Sequence, residues 1–91
     1  MIEGLRTGSV VRSAAGRDKG RVSVVYSILS DRAVTVVDGG MRKIDSPKRK
    51  NILHIRDTGI VLEELARAFA EKDRVYDAEV RKALKAAGFE L

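Results

Sequence analysis

The chain has 91 residues, 44% of them hydrophobic. That length predicts one small domain, at most with an appendage, and excludes a multidomain enzyme. Eighteen Lys and Arg against thirteen Asp and Glu leave a formal charge of +5, which favours polyanionic partners: nucleic acid first, an anionic membrane second. With no cysteine and one histidine, neither a disulfide framework nor a metal cluster is expected, and nothing points to a cofactor. The start lacks an apolar core of signal-peptide length, and no stretch reaches the ~20 apolar residues needed to cross a bilayer. The expectation is a soluble cytoplasmic protein.

Taken in chain order, residues 9–14 predict a first strand. Residues 21–29 follow with Val22, Val24, Tyr26 and Ile28 on one face and Ser23, Val25 and Ser27 on the other, the alternation of a half-buried strand. Residues 33–37 repeat it after the polar turn Ser30, Asp31, Arg32, and Asp38-Gly39-Gly40 closes that strand. Further strands are predicted at 41–45 and 52–55. Five short strands joined by tight polar turns suggest a small barrel rather than a two-sheet sandwich.

The period changes after Asp57. Leu62, Leu65, Ala66 and Phe69 recur at helical spacing. A second helix is predicted with Asp77 as N-cap, Glu79 in its first turn, Lys82 and Lys85 toward its end, and Gly88 as the stop. Its apolar positions are Val80, Ala83, Leu84 and Ala87. Helices of ~12 residues are marginal alone in water, so these must pack on each other, on the barrel or on a partner. The expected organisation is a barrel over 1–56 and a helical appendage over 57–91.

Charge follows the same division. Residues 1–56 hold twelve basic and five acidic side chains, a net +7, whereas 57–91 hold six and eight, a net −2. A polyanion-binding surface is therefore expected on the first part. The only proline, Pro47, precedes the densest basic run, Lys48-Arg49-Lys50, and Arg42 and Lys43 lie shortly before it.

Catalytic chemistry finds little support. His54 has no Cys or neighbouring Ser to activate and no orienting third group, so it reads as a polar edge residue or a nucleic-acid contact. Asp38 and Asp45 fall where turns commonly use Asp. The expectation is a protein that is not an enzyme. The most informative segment is Ala15-Gly16-Arg17-Asp18-Lys19-Gly20-Arg21, in which two glycines bracket a turn that presents cations. It is not a nucleotide phosphate loop, because Gly20-Arg21-Val22 runs into a strand rather than a helix. It is either an ordinary charged hairpin or, coupled to the Arg42-Lys43 and Lys48-Arg49-Lys50 cluster, a functional surface.

SAAGRDKGRVSVV resembles a KOW motif, with Gly20 at the position of that motif's characteristic glycine. The later run DGGMRKIDSPKRKNILHI is similar to the matching segment of bacterial KOW-domain RNA-binding proteins, and DAEVRKALKAAG to their ends. These proteins resemble in turn the archaeal and eukaryotic large-subunit ribosomal proteins fourteen and twenty-seven. The resemblance covers nearly the whole chain. It implies a mainly β fold with α, a small five-stranded SH3-like barrel of KOW type followed by one or two C-terminal helices, with ribosomal RNA as partner. It puts Arg17, Lys19 and Arg21 on the RNA-facing loop, and Lys48, Arg49, Lys50, Asn51 and His54 on the basic segment leading to the last strand. Arg42 and Lys43 complete the expected RNA-binding set. The ribosomal relatives carry a longer, more basic C-terminal part, so the acidic tail points to an accessory RNA-binding or ribosome-associated factor.

Only four aromatic residues occur, and the one in the barrel, Tyr26, reads as core. Without exposed rings to stack bases, the expected ligand is structured RNA held electrostatically through phosphates, in translation or ribosome assembly. The alternative is a protein-interaction module that docks a translation or transcription protein, with ribosomal proteins among the possible partners. In that case the barrel loops or the helices form the docking surface. The helices either cap the barrel or serve as that surface.

Overall fold

The computed structural model describes residues 4–71 and 74–90. Five strands, β1 (Ser9–Ser13), β2 (Val22–Ile28), β3 (Ala33–Val37), β4 (Lys48–Asn51) and β5 (Ile55–Val61), precede helices α1 (Glu63–Glu71) and α2 (Asp77–Ala86). The strands form one antiparallel sheet in the order β4-β3-β2-β1-β5. The protein is thus mainly β with two C-terminal helices. No helix among the described residues is long and apolar enough to cross a membrane.

β4 and β5 are opposite edges of the sheet, yet only the three residues of a 3-10 turn, Ile52–His54, separate them. In a flat sheet four inter-strand spacings would hold the edges ~19 Å apart. Four residue steps reach at most ~14 Å even fully extended, and a 3-10 turn much less. The sheet must therefore curl strongly, although β4 and β5 do not pair and it stays open.

That curl buries one face without a second layer. Val11, Val25, Val34 and Val36 cluster there, closed over by Leu5, Ile52 and Ile55. The other face is covered by the helices, in a cluster of Val10, Val22, Val24 and Val37 with Leu65 of α1 and Val80 and Leu84 of α2. Consequently β2 is not half-buried. Val22, Ser23, Val24 and Val25 are all buried, because both faces of the sheet are covered. The pairing with β3 slips between Val25 and Ser27, and Tyr26 packs edge-on against Phe69 of α1 with ring centroids 4.9 Å apart.

Two close approaches seat the helices. A Cβ on Gly8 would lie 2.8 Å from the Ala66 Cβ, so the glycine lets α1 sit against the start of the sheet. A Cβ on Gly39 would lie 2.3 Å from the Asp77 carbonyl oxygen, so the β3–β4 loop meets the first turn of α2 backbone to backbone. Asp77 is not the N-cap: Tyr76 holds that position, and the Asp77 carboxylate instead accepts a hydrogen bond from the Ile44 amide at 2.9 Å. Gly88 ends α2 as expected, at φ +93°. Amides of Gly88 and Phe89 donate back to the carbonyls of Lys85 and Leu84, the paired bonds of a Schellman stop.

Three further boundaries differ from the sequence reading. Residues 41–45 are loop rather than strand, because their amides are used elsewhere: Arg42 donates to the Asp38 carboxylate and Ile44 to Asp77. Residues 52–54 form the 3-10 turn rather than a strand, capped by the Asn51 side chain, which accepts from the Leu53 amide at 2.9 Å. Finally, β5 runs on to Val61, so the sheet does not end at residue 56, and the helices share its core.

Candidate nucleic-acid interface

The β1–β2 loop is closed by backbone bonds from Gly20 to Ser13 (2.8 Å) and from Ser13 to Arg21 (2.9 Å). Gly16 and Gly20 take positive φ, +77° and +89°, with open space around the position of a Cβ, so conformation rather than crowding requires glycine there. Arg12 braces the loop, donating to the Gly20 carbonyl at 3.0 Å. Within this frame Arg17 and Lys19 are exposed, while Asp18 between them is turned inward, its side chain 13% exposed.

Asp18 organises the region. Its Oδ2 accepts from Arg42 Nη2 at 2.7 Å and from Lys50 Nζ at 3.2 Å. The Arg42 hydrogen bond, with Lys50 assisting, lowers the Asp18 pKa below the ordinary value of 3.8 against the opposing effect of burial. One carboxylate thus ties together the β1–β2 loop, the β3–β4 loop and β4, segments 24 and 32 residues apart.

This arrangement divides the ten basic and polar residues singled out from the sequence. Arg42 and Lys50 are partly buried, their side chains 28% and 13% exposed, and their charges are directed at Asp18. Both cations already have a carboxylate partner within the protein, which ties their segments together. Arg21 lies 3.7 Å from Asp38, whose other oxygen accepts from the Gly40 and Arg42 amides, the turn role expected of that aspartate. Asn51 caps the 3-10 turn. His54 is exposed, and its carbonyl accepts from the Ala14 amide at 2.8 Å, which fixes the turn beside the β1–β2 loop.

Arg17, Lys19, Lys43, Lys48 and Arg49 remain. All five are exposed, and none pairs with an acid among the described residues. Each lies within two residues of Asp18, Arg42 or Lys50 in sequence; on β4, Lys48 shares the face of Lys50, whereas Arg49 alternates to the opposite face beside Thr35.

Sequence reasoning did not single out three participants. Asp18 was visible as the one acid inside a basic loop, but its two partners are remote in sequence. Arg12 gave no local signal. Leu53 stands 81% exposed at the tip of the 3-10 turn amid the basic segment, a position that the preceding Asx cap, Asn51, could have revealed. The chain matches no protein-family model and no curated protein.

Proposed function

We propose that the protein binds structured RNA through phosphates, with its curled sheet acting as an SH3-like barrel of the KOW type. Ribosomal RNA, in translation or ribosome assembly, is the target that the KOW resemblance implies. The observation that carries this reading is the Asp18 clamp: it ties three basic segments together, and on those segments the exposed Arg17, Lys19, Lys43, Lys48 and Arg49 pair with no acid among the described residues. Exposed cations without acidic partners are of little use to folding, since surface charge pairs contribute only ~0–1 kcal/mol. They are suited to a polyanion, each neutralised phosphate releasing a condensed counterion.

The aromatic residues support the same ligand class. Tyr26 and Phe69 are packed together, Phe89 lies against the helix-side core, and Tyr76 is stacked near Arg74 at the start of α2. The ring beside the β1–β2 loop, Phe89, is already engaged by Arg12, whose guanidinium lies 6.0 Å from its centroid, so phosphate contact rather than base stacking is the mode of binding we propose. Recognition of RNA shape through backbone phosphates fits the available side chains.

The test is the affinity for folded large-subunit ribosomal RNA across salt, for the parent and for the fourfold variant Arg17→Ala, Lys19→Ala, Lys48→Ala, Arg49→Ala. The expected loss is at least about tenfold at moderate salt, with the log–log salt slope flattened by ~3. An unchanged slope in a folded variant contradicts the proposal. The second reading, a protein-docking module, draws on the exposed Ile28, Leu29 and Leu53. It predicts complex formation that persists at high salt, because an apolar interface is not screened.

A further inference from the structure

The charge count of the C-terminal part, −2, conceals how its charges are arranged. On α2 the buried residues are Val80 and Leu84, while Ala78, Arg81, Lys82 and Lys85 recur three or four apart on the outward side. The acids of this helix are directed elsewhere: Asp77 accepts from the Ile44 amide and Glu79 from the Tyr76 amide at 2.7 Å. Arg81 is anchored to the Gly39 carbonyl. Lys82 and Lys85 are exposed and pair with no acid among the described residues.

The Schellman stop at Gly88 turns the chain back beside the helix and creates a groove lined by Ala78, Arg81, Lys82, Lys85, Phe89 and Glu90. Glu90 also lines a second groove, together with Lys19, Gly20, Arg21, Val22 and Asp38. The two grooves therefore share one lining residue, with Lys19 and Arg21 lining one and Arg81, Lys82 and Lys85 the other.

We infer that the RNA-binding surface extends across this junction, with Lys82 and Lys85 holding phosphates of the same RNA backbone that the β1–β2 loop engages. The inference rests on the RNA-binding reading above. The occupant is identified by charge complementarity: three cations, Arg81, Lys82 and Lys85, line the groove, and its other lining residues are the apolar Ala78 and Phe89 and one carboxylate, Glu90. Glu90 is the one carboxylate shared by both grooves, so on this account it opposes the ligand. A role for Lys85 confined to the helix C-terminus, where a cation favours the dipole, predicts no effect on RNA.

Full-length variants titrated with folded large-subunit ribosomal RNA decide the matter. Lys82→Gln with Lys85→Gln should weaken binding by about three- to tenfold and flatten the log–log salt slope by ~1.5, with little change in thermal midpoint. Glu90→Gln should strengthen binding, and Ala78→Glu, on the same exposed stripe, should weaken it. If the lysine variant keeps the parent slope while Arg17→Ala with Lys19→Ala flattens it, α2 lies outside the footprint and the inference is overturned alone. If neither pair flattens it, the RNA-binding reading fails as well. A Glu90→Gln variant that binds no more tightly contradicts the continuity of the two grooves.

Discussion

Replacing Asp18 with Asn removes the counter-charge of two cations at once. Arg42 would keep a guanidinium whose Nε is already buried without a hydrogen-bond partner, and Lys50 an ammonium with little access to water. Breaking a fully buried pair from one side costs ~3–5 kcal/mol, and the partial exposure of Arg42 reduces the expected loss here to about 1–2 kcal/mol. The pH dependence follows from the direction of the Asp18 shift. A carboxylate whose folded pKa lies below 3.8 adds stability that is present above that value and is lost as pH falls through the folded pKa. The urea midpoint of the parent should therefore exceed that of Asp18→Asn at neutral pH, and the gap should close below about pH 3.8. A gap that persists in strong acid contradicts the clamp. The glycines provide a second residue-scale comparison. Gly20→Ala imposes a positive φ in open space and should cost ~1–2 kcal/mol. Gly39→Ala adds a clash with the α2 backbone and should cost ~1–3 kcal/mol more. Equal thermal midpoints for the two variants would show that α2 is not seated as described.

Among the elements, β2 and β3 were legible because their β-branched residues are dense and their turns carry Asp and Gly. β4 was not, since Lys48–Asn51 contains no apolar residue and becomes a strand only by pairing with β3, Val34 opposite Lys50 and Val36 opposite Lys48. β5 was obscured for another reason. Gly59 takes positive φ, the register with β1 shifts between Ser9 and Val11, and Thr58 donates its hydroxyl to the Val10 carbonyl, so no clean alternation is left to read. Of the site, the identity of the basic residues was readable. Which of them turn inward was not, because that depends on one aspartate meeting partners 24 and 32 residues away. The helices are part of the core and not an accessory layer: Leu84 and Val80 are fully buried against the sheet. Leu84→Ala should cost ~2–5 kcal/mol, a large share of the ~5–14 kcal/mol expected for a domain of this length. A chain cut after Arg56 should fail to fold, since it loses most of β5 along with both helices. Cooperative melting of that fragment would show the sheet to be self-sufficient.

At the scale of the whole molecule, a curled sheet with both faces buried brings the β1–β2 loop, the β3–β4 loop and β4 together at Asp18, although they are distant in sequence. The central claim is that the exposed cations of these segments bind RNA through phosphates. Its most direct test is the affinity of the full-length protein for folded large-subunit ribosomal RNA as a function of salt. Each neutralised phosphate contributes ~0.7–0.9 to the slope of log affinity against log salt, so five or six contacts give a slope of roughly −4 to −5. The account predicts a slope in that range, flattened by removal of Arg17, Lys19, Lys48 and Arg49. A slope near zero, or tight binding that persists at high salt and is indifferent to those four residues, would contradict it.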